Sequence, residues 1–180
     1  MDPEQIARAR SGDAAAFEAL VEPRVGPMTR TAMAILGSEA DARDAVQDAL
    51  VTAWRELAAL RDPQAFDAWL TRILVNRCRR GLRRVAAQRV REIPVDSLAL
   101  TSHEPGGPDT AAATFERRAL ERAFGRLSVD ERTLIVLHHL DGRSLADIAV
   151  VLKVPVGTAK SRLFAARKSL ERALEREGGR

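Results

Sequence analysis

The chain has no tyrosine, only one cysteine and few aromatic residues of any kind. Its 180 residues include 4% aromatic side chains against 46% hydrophobic ones, among which alanine and leucine dominate. The single cysteine, Cys78, excludes a disulfide within the chain. Segments in which Val, Ile and Thr alternate with polar residues are also scarce, so no β-sheet is predicted. Because alanine and leucine are strong helix formers, the composition predicts an all-α protein.

Long apolar segments and targeting signals are missing as well. No run of about 18 apolar residues occurs, so we predict no membrane-spanning helix. The start of the chain, MDPEQ, lacks the basic segment and following apolar run of a secretory signal. We therefore predict a soluble, cytoplasmic protein.

The sequence also lacks the residue patterns on which most catalytic sites depend. No glycine-rich phosphate-binding loop follows a predicted strand. His138 and His139 are adjacent, so on a helix they point about 100° apart and do not chelate one metal together. Cys78 has no cysteine or histidine at a zinc-binding spacing. The acidic residues of 41–48 stand at helical spacing and are a weaker candidate for a metal site. We predict a protein that is not an enzyme and needs no metal or cofactor.

Positive charge is present in modest excess, and it is clustered. The formal net charge is +4. Seven arginines and one acidic residue fall in 76–92, and six basic residues accompany two acidic ones in 160–176. By contrast, 39–48 holds four acidic residues and one arginine. The basic clusters favour a polyanion as partner, whereas the acidic segment favours a second partner of another kind.

Proline, glycine and capping residues divide the chain into two small helical domains. The first domain is predicted at 1–90 and the second at 113–180. Between them, 91–112 is rich in proline, glycine and polar residues, and we predict a flexible linker. Within the first domain, Pro23 and Pro27 predict a kink or a division of the helix that contains them.

Two helices of the first domain have clear apolar faces. The helix that begins at Ser38 is predicted to expose acidic residues on one side and to bury the other. The predicted buried face consists of Ala42, Ala45, Val46, Ala49, Ala53, Trp54 and Leu57. In the next helix Trp69 shares the apolar stripe, so we predict that it packs in the core and does not stack on a base.

The second domain contains a helix-turn-helix pattern. Ser128 and Glu131 match a capping box, and Ser144 caps a short helix after a turn at 141–142. After a turn of three or four residues, Pro155 opens a longer helix. The predicted packing stripe of this last helix consists of Val156, Ala159, Leu163, Ala166 and Leu170.

The remaining surface of the last helix carries side chains suited to DNA. Lysine and arginine bond guanine edges or phosphates in the major groove, serine and threonine donate to either, and an exposed phenylalanine contacts a thymine methyl group. Gly157 leaves room for a close backbone approach. The candidate DNA-binding residues are Thr158, Lys160, Ser161, Arg162, Phe164 and Lys168. The alternative, a surface helix with solvated cations, is less favoured because a capped helix precedes this one at the correct spacing.

Three long motifs resemble those of extracytoplasmic-function (ECF) sigma factors. Residues 127–167 read LSVDERTLIVLHHLDGRSLADIAVVLKVPVGTAKSRLFAAR. In the first domain, 41–50 reads DARDAVQDAL and 65–80 reads AFDAWLTRILVNRCRR. The motifs, their order and the linker resemble this family over nearly the whole chain. The resemblance implies a protein that binds core RNA polymerase, recognises the minus-thirty-five and minus-ten promoter elements and helps to melt the DNA.

The resemblance also implies roles for the first domain. Asp44, Gln47 and Asp48 match the helix that docks on the clamp helices of the largest polymerase subunit. The loop 59–64 and the helix after it match the element that reads the minus-ten region, where a base of the non-template strand is flipped out. The residues assigned to minus-ten DNA are Arg72, Asn76, Arg79, Arg80 and Arg83.

For the second domain, the resemblance places the candidate DNA-binding residues of the last helix against the minus-thirty-five duplex. One position departs from the family pattern, because Ala165 stands where some members carry an arginine. The partners implied are core polymerase, promoter DNA in double- and single-stranded form, and an anti-sigma factor.

A second class of function fits the helix-turn-helix alone. A transcription regulator could bind DNA without polymerase, as a dimer, through the same last helix. The first domain distinguishes the two, since such a regulator has no need of an acidic docking helix followed by an arginine-rich helix. The sigma-factor interpretation is therefore preferred.

Overall fold

The computed structural model describes residues 3–89 and 111–178, and every regular element within these ranges is helical. The predicted all-α class is confirmed. A first unit and a second unit each contain four α-helices. The first unit consists of α1 (Pro3–Arg10), α2 (Ala14–Leu36), α3 (Glu39–Glu56) and α4 (Phe66–Arg89). The second unit consists of α5 (Ala111–Gly125), α6 (Val129–Ile135), α7 (Leu145–Leu152) and α8 (Val156–Gly178). Of the linker predicted at 91–112, residues 91–110 lie outside the described ranges, and 111–112 already belong to α5.

Of the two outcomes predicted at Pro23 and Pro27, division of the helix is wrong, because α2 is one continuous helix of 23 residues. The kink stays a prediction. Asp13 caps its start by accepting from the Ala16 amide at 3.0 Å. Pro23 and Pro27 both lie on the exposed side of the helix. Each proline removes one helical hydrogen bond, but water can satisfy carbonyls that face solvent. Burial of the opposite face holds the helix together.

The turn between α2 and α3 follows its sequence signals. Gly37 adopts φ 72°, and its amide donates to the Met33 carbonyl at 2.8 Å. This left-handed conformation favours glycine, which commonly ends a helix in this way. Ser38 then caps α3 by accepting from the Asp41 amide. The close turn places α2 and α3 side by side.

The core of the first unit follows the predicted apolar faces with one exception. Ile35, Leu57 and Phe66 are almost completely buried, and Trp69 is buried beside them, as predicted. Trp54 is instead 37% exposed and packs edge-on against Phe17, with ring centroids 5.0 Å apart. The indole is too large for the alanine-lined face of α3 and covers the rim of the core.

Two capping boxes organise the second unit. Ser128 and Glu131 exchange hydrogen bonds at the start of α6, as predicted, and Ser144 and Asp147 do the same at the start of α7. Between them, Val136–Leu140 forms a π-helical turn that the sequence did not indicate. Lys153 closes α7 in the left-handed conformation, with φ 54°. The short turn at 153–155 then leads directly into α8.

The predicted packing stripe of α8 is correct except at its first residue. Ala159, Leu163 and Ala166 are buried against the other helices of the second unit. Val156 is 50% exposed, because the chain enters α8 there and no helix covers the side chain. Val154, in the preceding turn, packs against the core instead.

The two units pack against each other through α2 and α4 of the first and α6, the π-helical turn and α7 of the second. Val75 of α4 belongs to the apolar core of the second unit, and Val136 belongs to that of the first. Both side chains are almost completely buried. The apolar surface shared in this way contributes to holding the units together.

Candidate nucleic-acid interface

The buried stripe of α8 determines which of its side chains face outward. With Ala159, Leu163 and Ala166 fixed inward, the candidate DNA-binding residues lie on the remaining surface. Thr158 is half-buried, and the exposed members are Lys160, Ser161, Arg162, Phe164 and Lys168. The structure therefore brings together all six residues that the sequence assigned to this surface. Ala165 is exposed beside them and leaves a gap in the basic surface.

Phe164 is the most exposed large apolar side chain in the described part of the chain, at 59%. The ammonium group of Lys168 lies 4.8 Å from the centre of its ring. A cation over an aromatic face is attracted by the ring and keeps it oriented toward solvent. The pair thus presents an apolar edge and a positive charge on one small area, which suits the methyl groups and phosphates of a duplex.

The amino-terminal end of α8 is open to a ligand. The Ala159 amide donates to the Pro155 carbonyl at 3.0 Å, so the amides before it lie in the first turn, where helices leave N–H groups unpaired. A Cβ atom built on Gly157 meets no protein atom within 4 Å, so packing within the protein does not require glycine there. The Ser161 hydroxyl donates to the Thr158 carbonyl at 3.1 Å and keeps its lone pairs available. Such a helix end attracts phosphate.

A second candidate surface lies on α4. The assigned residues recur every three or four positions and span about 100° of the helix surface. These residues are Arg72, Asn76, Arg79, Arg80 and Arg83, of which Asn76, Arg80 and Arg83 are exposed. Cys78 is buried on the opposite side of α4, whereas Val75 is buried beside Arg79, at the edge of this surface. We call this surface the α4 basic face.

Arg79 is the member of the α4 basic face that is already engaged. Its Nε lies 2.8 Å from a carboxylate oxygen of Asp130 in the second unit, and its side chain is only 22% exposed. Sequence reasoning missed this ion pair, since Asp130 reads as an ordinary acidic residue in the first turn of a helix. Arg77, outside the face, donates to Thr52 of α3 and ties two helices of the first unit together.

The loop 59–64 before α4 is anchored and exposed at the same time. Leu60 is buried, and the Asp62 carboxylate accepts from the Gln64 amide at 2.9 Å. Arg61 and Gln64 are exposed on either side of this turn. The loop is therefore held in a defined shape next to the start of α4 while its polar side chains remain accessible.

The acidic surface of α3 faces away from the core. Asp44, Gln47 and Asp48 are all exposed, and no ion pair to either aspartate occurs among the described residues. Glu39 differs, because it pairs with Arg43 one turn along the helix. The two unpaired carboxylates thus form a negative surface on which a basic protein could dock.

The described residues contain no group of three or more His, Cys, Asp and Glu side chains placed to hold a metal ion. His138 bonds the Arg143 carbonyl through Nδ1 at 3.0 Å, and His139 contacts Arg167 of α8. Burial raises the pKa of the Cys78 thiol to about 12, which leaves it protonated and unreactive at neutral pH. None of the described helices is long and apolar enough to cross a membrane.

A protein-family model matches each of the two units. Residues 20–88 match the model described as Sigma-70 region 2, and residues 117–170 match Sigma-70, region 4. The first match contains the acidic surface, the loop and most of α4, and the second contains the helix-turn-helix. The pair of regions defines a sigma-70-type protein.

Curated relatives narrow the family. The chain is 35% identical to the ECF RNA polymerase sigma factor SigM of Mycobacterium tuberculosis, covering 96% of this chain and 84% of the relative. It is 32% identical to the ECF RNA polymerase sigma-E factor of Escherichia coli K12, covering 94% and 92% of the two chains. The chain belongs to the ECF RNA polymerase sigma factors, as the sequence motifs predicted.

Two solved structures are similar over most of the chain. CnrH, solved in complex with the cytosolic domain of CnrY, is 28% identical with a TM-score of 0.65 and 95% coverage of both chains. The sigma factor RpoE of Bartonella quintana, solved with the anti-sigma factor NepR, is 25% identical with a TM-score of 0.68, over 88% of this chain and 96% of that one.

Proposed function

We propose that this sigma factor docks on core RNA polymerase through α3, captures minus-ten DNA on the α4 basic face and reads the minus-thirty-five duplex with α8. The observation that carries the proposal is the presence of two separate cationic surfaces, α4 and α8, in one chain with an exposed acidic surface on α3, which precedes both in sequence. A protein that only bound a duplex would need α8 alone.

On the upstream element, α8 enters the major groove with its amino-terminal end against a phosphate. Lys160 and Arg162 bond guanine edges or phosphates, Ser161 and Thr158 add hydrogen bonds, and Phe164 contacts a thymine methyl group. Lys168 follows the backbone one turn further along the helix. Ala165 contributes no charged contact, so this chain has a narrower basic surface than members with arginine there.

On the downstream element, the α4 basic face and the loop 59–64 take up the non-template strand. Arg72, Arg80 and Arg83 contact backbone phosphates, and Asn76 contacts the strand near the flipped base. Unpairing costs a few kcal/mol for each extruded base, and capture of the free strand offsets that cost. On this account melting needs no ATP site, and the protein is not an enzyme.

Toward polymerase, Asp44, Gln47 and Asp48 meet basic residues of the clamp helices. Opposite charges across such an interface accelerate association and fix its orientation. The two solved neighbours are in complex with the cytosolic domain of CnrY and with the anti-sigma factor NepR. We therefore also propose that an anti-sigma factor holds this protein inactive in the cytoplasm until a signal releases it.

Selection of promoters with reconstituted holoenzyme tests the proposal. A random duplex library is transcribed by core polymerase with and without the protein, and the transcribed templates are sequenced. We expect two enriched blocks at a fixed spacing, and only when the protein is present. If the protein binds duplex DNA as a dimer and yields no core-dependent transcript, the regulator interpretation replaces this one.

A further inference from the structure

A cavity of about 290 Å³ lies between the two units, where α2 and α4 face the end of the π-helical turn and the residues after it. The second unit contributes Leu140, Asp141 and Arg143 to its wall, and α2 and α4 supply the rest. Ligand pockets in proteins begin at about 300 Å³, so the cavity has room for a small organic molecule. None of the residues assigned to promoter DNA or to polymerase lines it.

Three arginines line this cavity, and they are not equally engaged. Arg24 of α2 is paired, because its Nε lies 2.6 Å from the carboxylate of Asp67. Arg30, further along α2, is exposed. Within the described ranges neither Arg30 nor Arg143 forms an ion pair. Two guanidinium groups therefore remain for a ligand that carries negative charge.

Arg143 is held in place with one of its donors unused. Its Nη donates to the Thr71 hydroxyl of α4 at 2.6 Å, and its amide donates to the Leu137 carbonyl at 3.0 Å. The Nε of Arg143 is buried, yet no described residue accepts a hydrogen bond from it. A buried donor without an acceptor is penalised, so an acceptor oxygen supplied by a ligand relieves that penalty.

Another part of the wall is apolar. Met28 of α2 and Leu70 and Leu74 of α4 are buried side chains that line the cavity, and Leu140 lines it as an exposed side chain. A wall that combines apolar side chains with a few polar groups buries the body of a ligand and orients it through the polar groups. The matching ligand has an apolar body that ends in a charged group.

The acidic residues of the wall limit the charge of that ligand. Asp67 is neutralised by Arg24, and the two carboxylate oxygens of Asp141 accept from the Thr31 hydroxyl at 2.9 and 3.1 Å. The wall thus holds three guanidinium groups and two carboxylates. One surplus positive charge suits a ligand with a single negative charge, and a planar carboxylate matches the fork of a guanidinium group.

We propose that this cavity binds a small organic carboxylate, with the carboxylate on Arg143 and Arg30 and the apolar body against Leu70 and Leu74. Because both units supply the wall, a bound ligand stabilises the arrangement in which the units are in contact. The site does not depend on the proposed function, since binding is measured on the full-length chain without polymerase.

The first experiment titrates the ¹⁵N-labelled full-length chain with benzoate, benzamide and acetate. Benzamide has the ring without the charge, and acetate has the charge without the ring. We expect benzoate to shift the Nε–H resonance of Arg143 and to bind about tenfold more tightly than either control compound. Equal binding of the three compounds, or shifts confined to residues outside the cavity, would reject the site.

Substitutions at the cavity should change benzoate affinity in opposite directions. Arg143→Lys keeps the charge but removes Nε, and it should weaken binding about tenfold. Asp141→Asn removes an opposing charge and keeps an acceptor for Thr31, so it should strengthen binding about three- to fivefold. A gain in affinity cannot come from a folding defect, so the Asp141→Asn result keeps the test independent of stability.

A matched arginine outside the cavity separates the site from general attraction to a basic protein. Arg30→Gln should weaken benzoate binding about threefold. Arg10→Gln removes an exposed arginine of α1 and should leave the affinity unchanged. If the two variants lose affinity equally, or if Asp141→Asn binds no better than the parent protein, the proposed site is wrong.

Discussion

The two cationic helices, α4 and α8, are built alike but are not equally accessible. Each buries one stripe in a helical core and turns basic residues outward. On α8 the exposed surface is unobstructed, and Phe164 stands into solvent. On α4 the second unit covers part of the surface, and Arg79 is already paired with Asp130. The outward surface of α8 is therefore largely exposed, whereas the second unit covers part of the α4 basic face.

The largest expected effect comes from removing charge from the accessible part of the α4 basic face. Arg80→Ala combined with Arg83→Ala should lower promoter-dependent transcription about 100-fold, because two phosphate contacts to the captured strand are lost. For single strands each lost contact reduces the salt slope by about 0.7, so the slope should fall by about 1.4. Duplex binding through α8 should remain. A variant that melts promoters normally would show that α4 does not hold the strand.

Charge reversal on α3 separates polymerase docking from DNA binding. Asp48→Lys should weaken binding to core polymerase about 10- to 100-fold, because an exposed carboxylate that faces basic residues becomes a repelling cation. Binding of the upstream duplex to the protein should not change. The change is measured by competition for core with a labelled sigma factor, with Glu18→Lys as a control on α2. Unchanged core affinity would remove α3 from the docking surface.

Single alanine substitutions on α8 should weaken binding of the upstream promoter element only. Lys160→Ala should weaken binding of the upstream duplex about tenfold, and Ser161→Ala should weaken it a few-fold, as expected for the loss of one phosphate or base contact. Capture of single-stranded minus-ten DNA should not change. Gel-shift titration of each element checks both statements. Normal binding of every promoter variant by Ser161→Ala would mean that the recognition surface is misassigned.

Removal of the helix cap at Ser144 in the second unit should lower the free energy of unfolding by a smaller amount that depends on pH. Ser144 bonds from its side chain and backbone lower the pKa of Asp147 below its usual value near 3.8. A carboxylate whose pKa is lower in the folded state stabilises that state above its unfolded pKa, and the contribution is lost as the pH falls through the folded pKa. Ser144→Ala should therefore cost about 1 kcal/mol at pH 7 and less near pH 3. A cost in urea unfolding that stays constant across this range would contradict the role of Asp147.

The smallest change tests the position where the basic surface of α8 has a gap. Ala165→Arg should strengthen binding of any duplex about two- to fivefold at low salt, because it adds one exposed cation beside Lys168. The gain should disappear at high salt, where phosphate contacts are weak. Filter binding at two salt concentrations measures it, and a gain restricted to one promoter sequence would indicate a base contact instead.

The contrast between α4 and α8 also shows how far the sequence alone leads. Helix starts at Ser38, Ser128 and Ser144 were predicted correctly, since a cap is a local signal between residues two or three positions apart. The sequence also predicted that the six candidate residues of α8 lie outside its buried stripe, because that placement depends only on helical spacing. Their contact with DNA stays a prediction. Two predictions were wrong for reasons that spacing does not show. Val156 is exposed because it lies at the end of a helix. The helix α2 is not divided because water can satisfy the carbonyls on its outer side.

The contact between the two units could not be predicted from spacing. Thr31 and Asp141 are far apart in sequence, and Asp141 reads as an ordinary turn residue before Gly142. Burial raises the pKa of Asp141, and the hydrogen bond from Thr31 opposes that rise. The sequence offered only a weak sign of this contact, the apolar residue Val75 outside the main apolar stripe of α4. In the structure Val75 is buried.

Promoter selection with two holoenzymes tests most directly the claim that α8 and α4 act on one promoter. The holoenzyme with the parent protein should enrich an upstream and a downstream block at one spacing. The holoenzyme with Phe164→Ala should lose sequence preference in the upstream block alone and keep the downstream block and the start site. If both blocks change together, or if core polymerase shows the same preferences without the protein, the division of promoter reading between α8 and α4 is wrong.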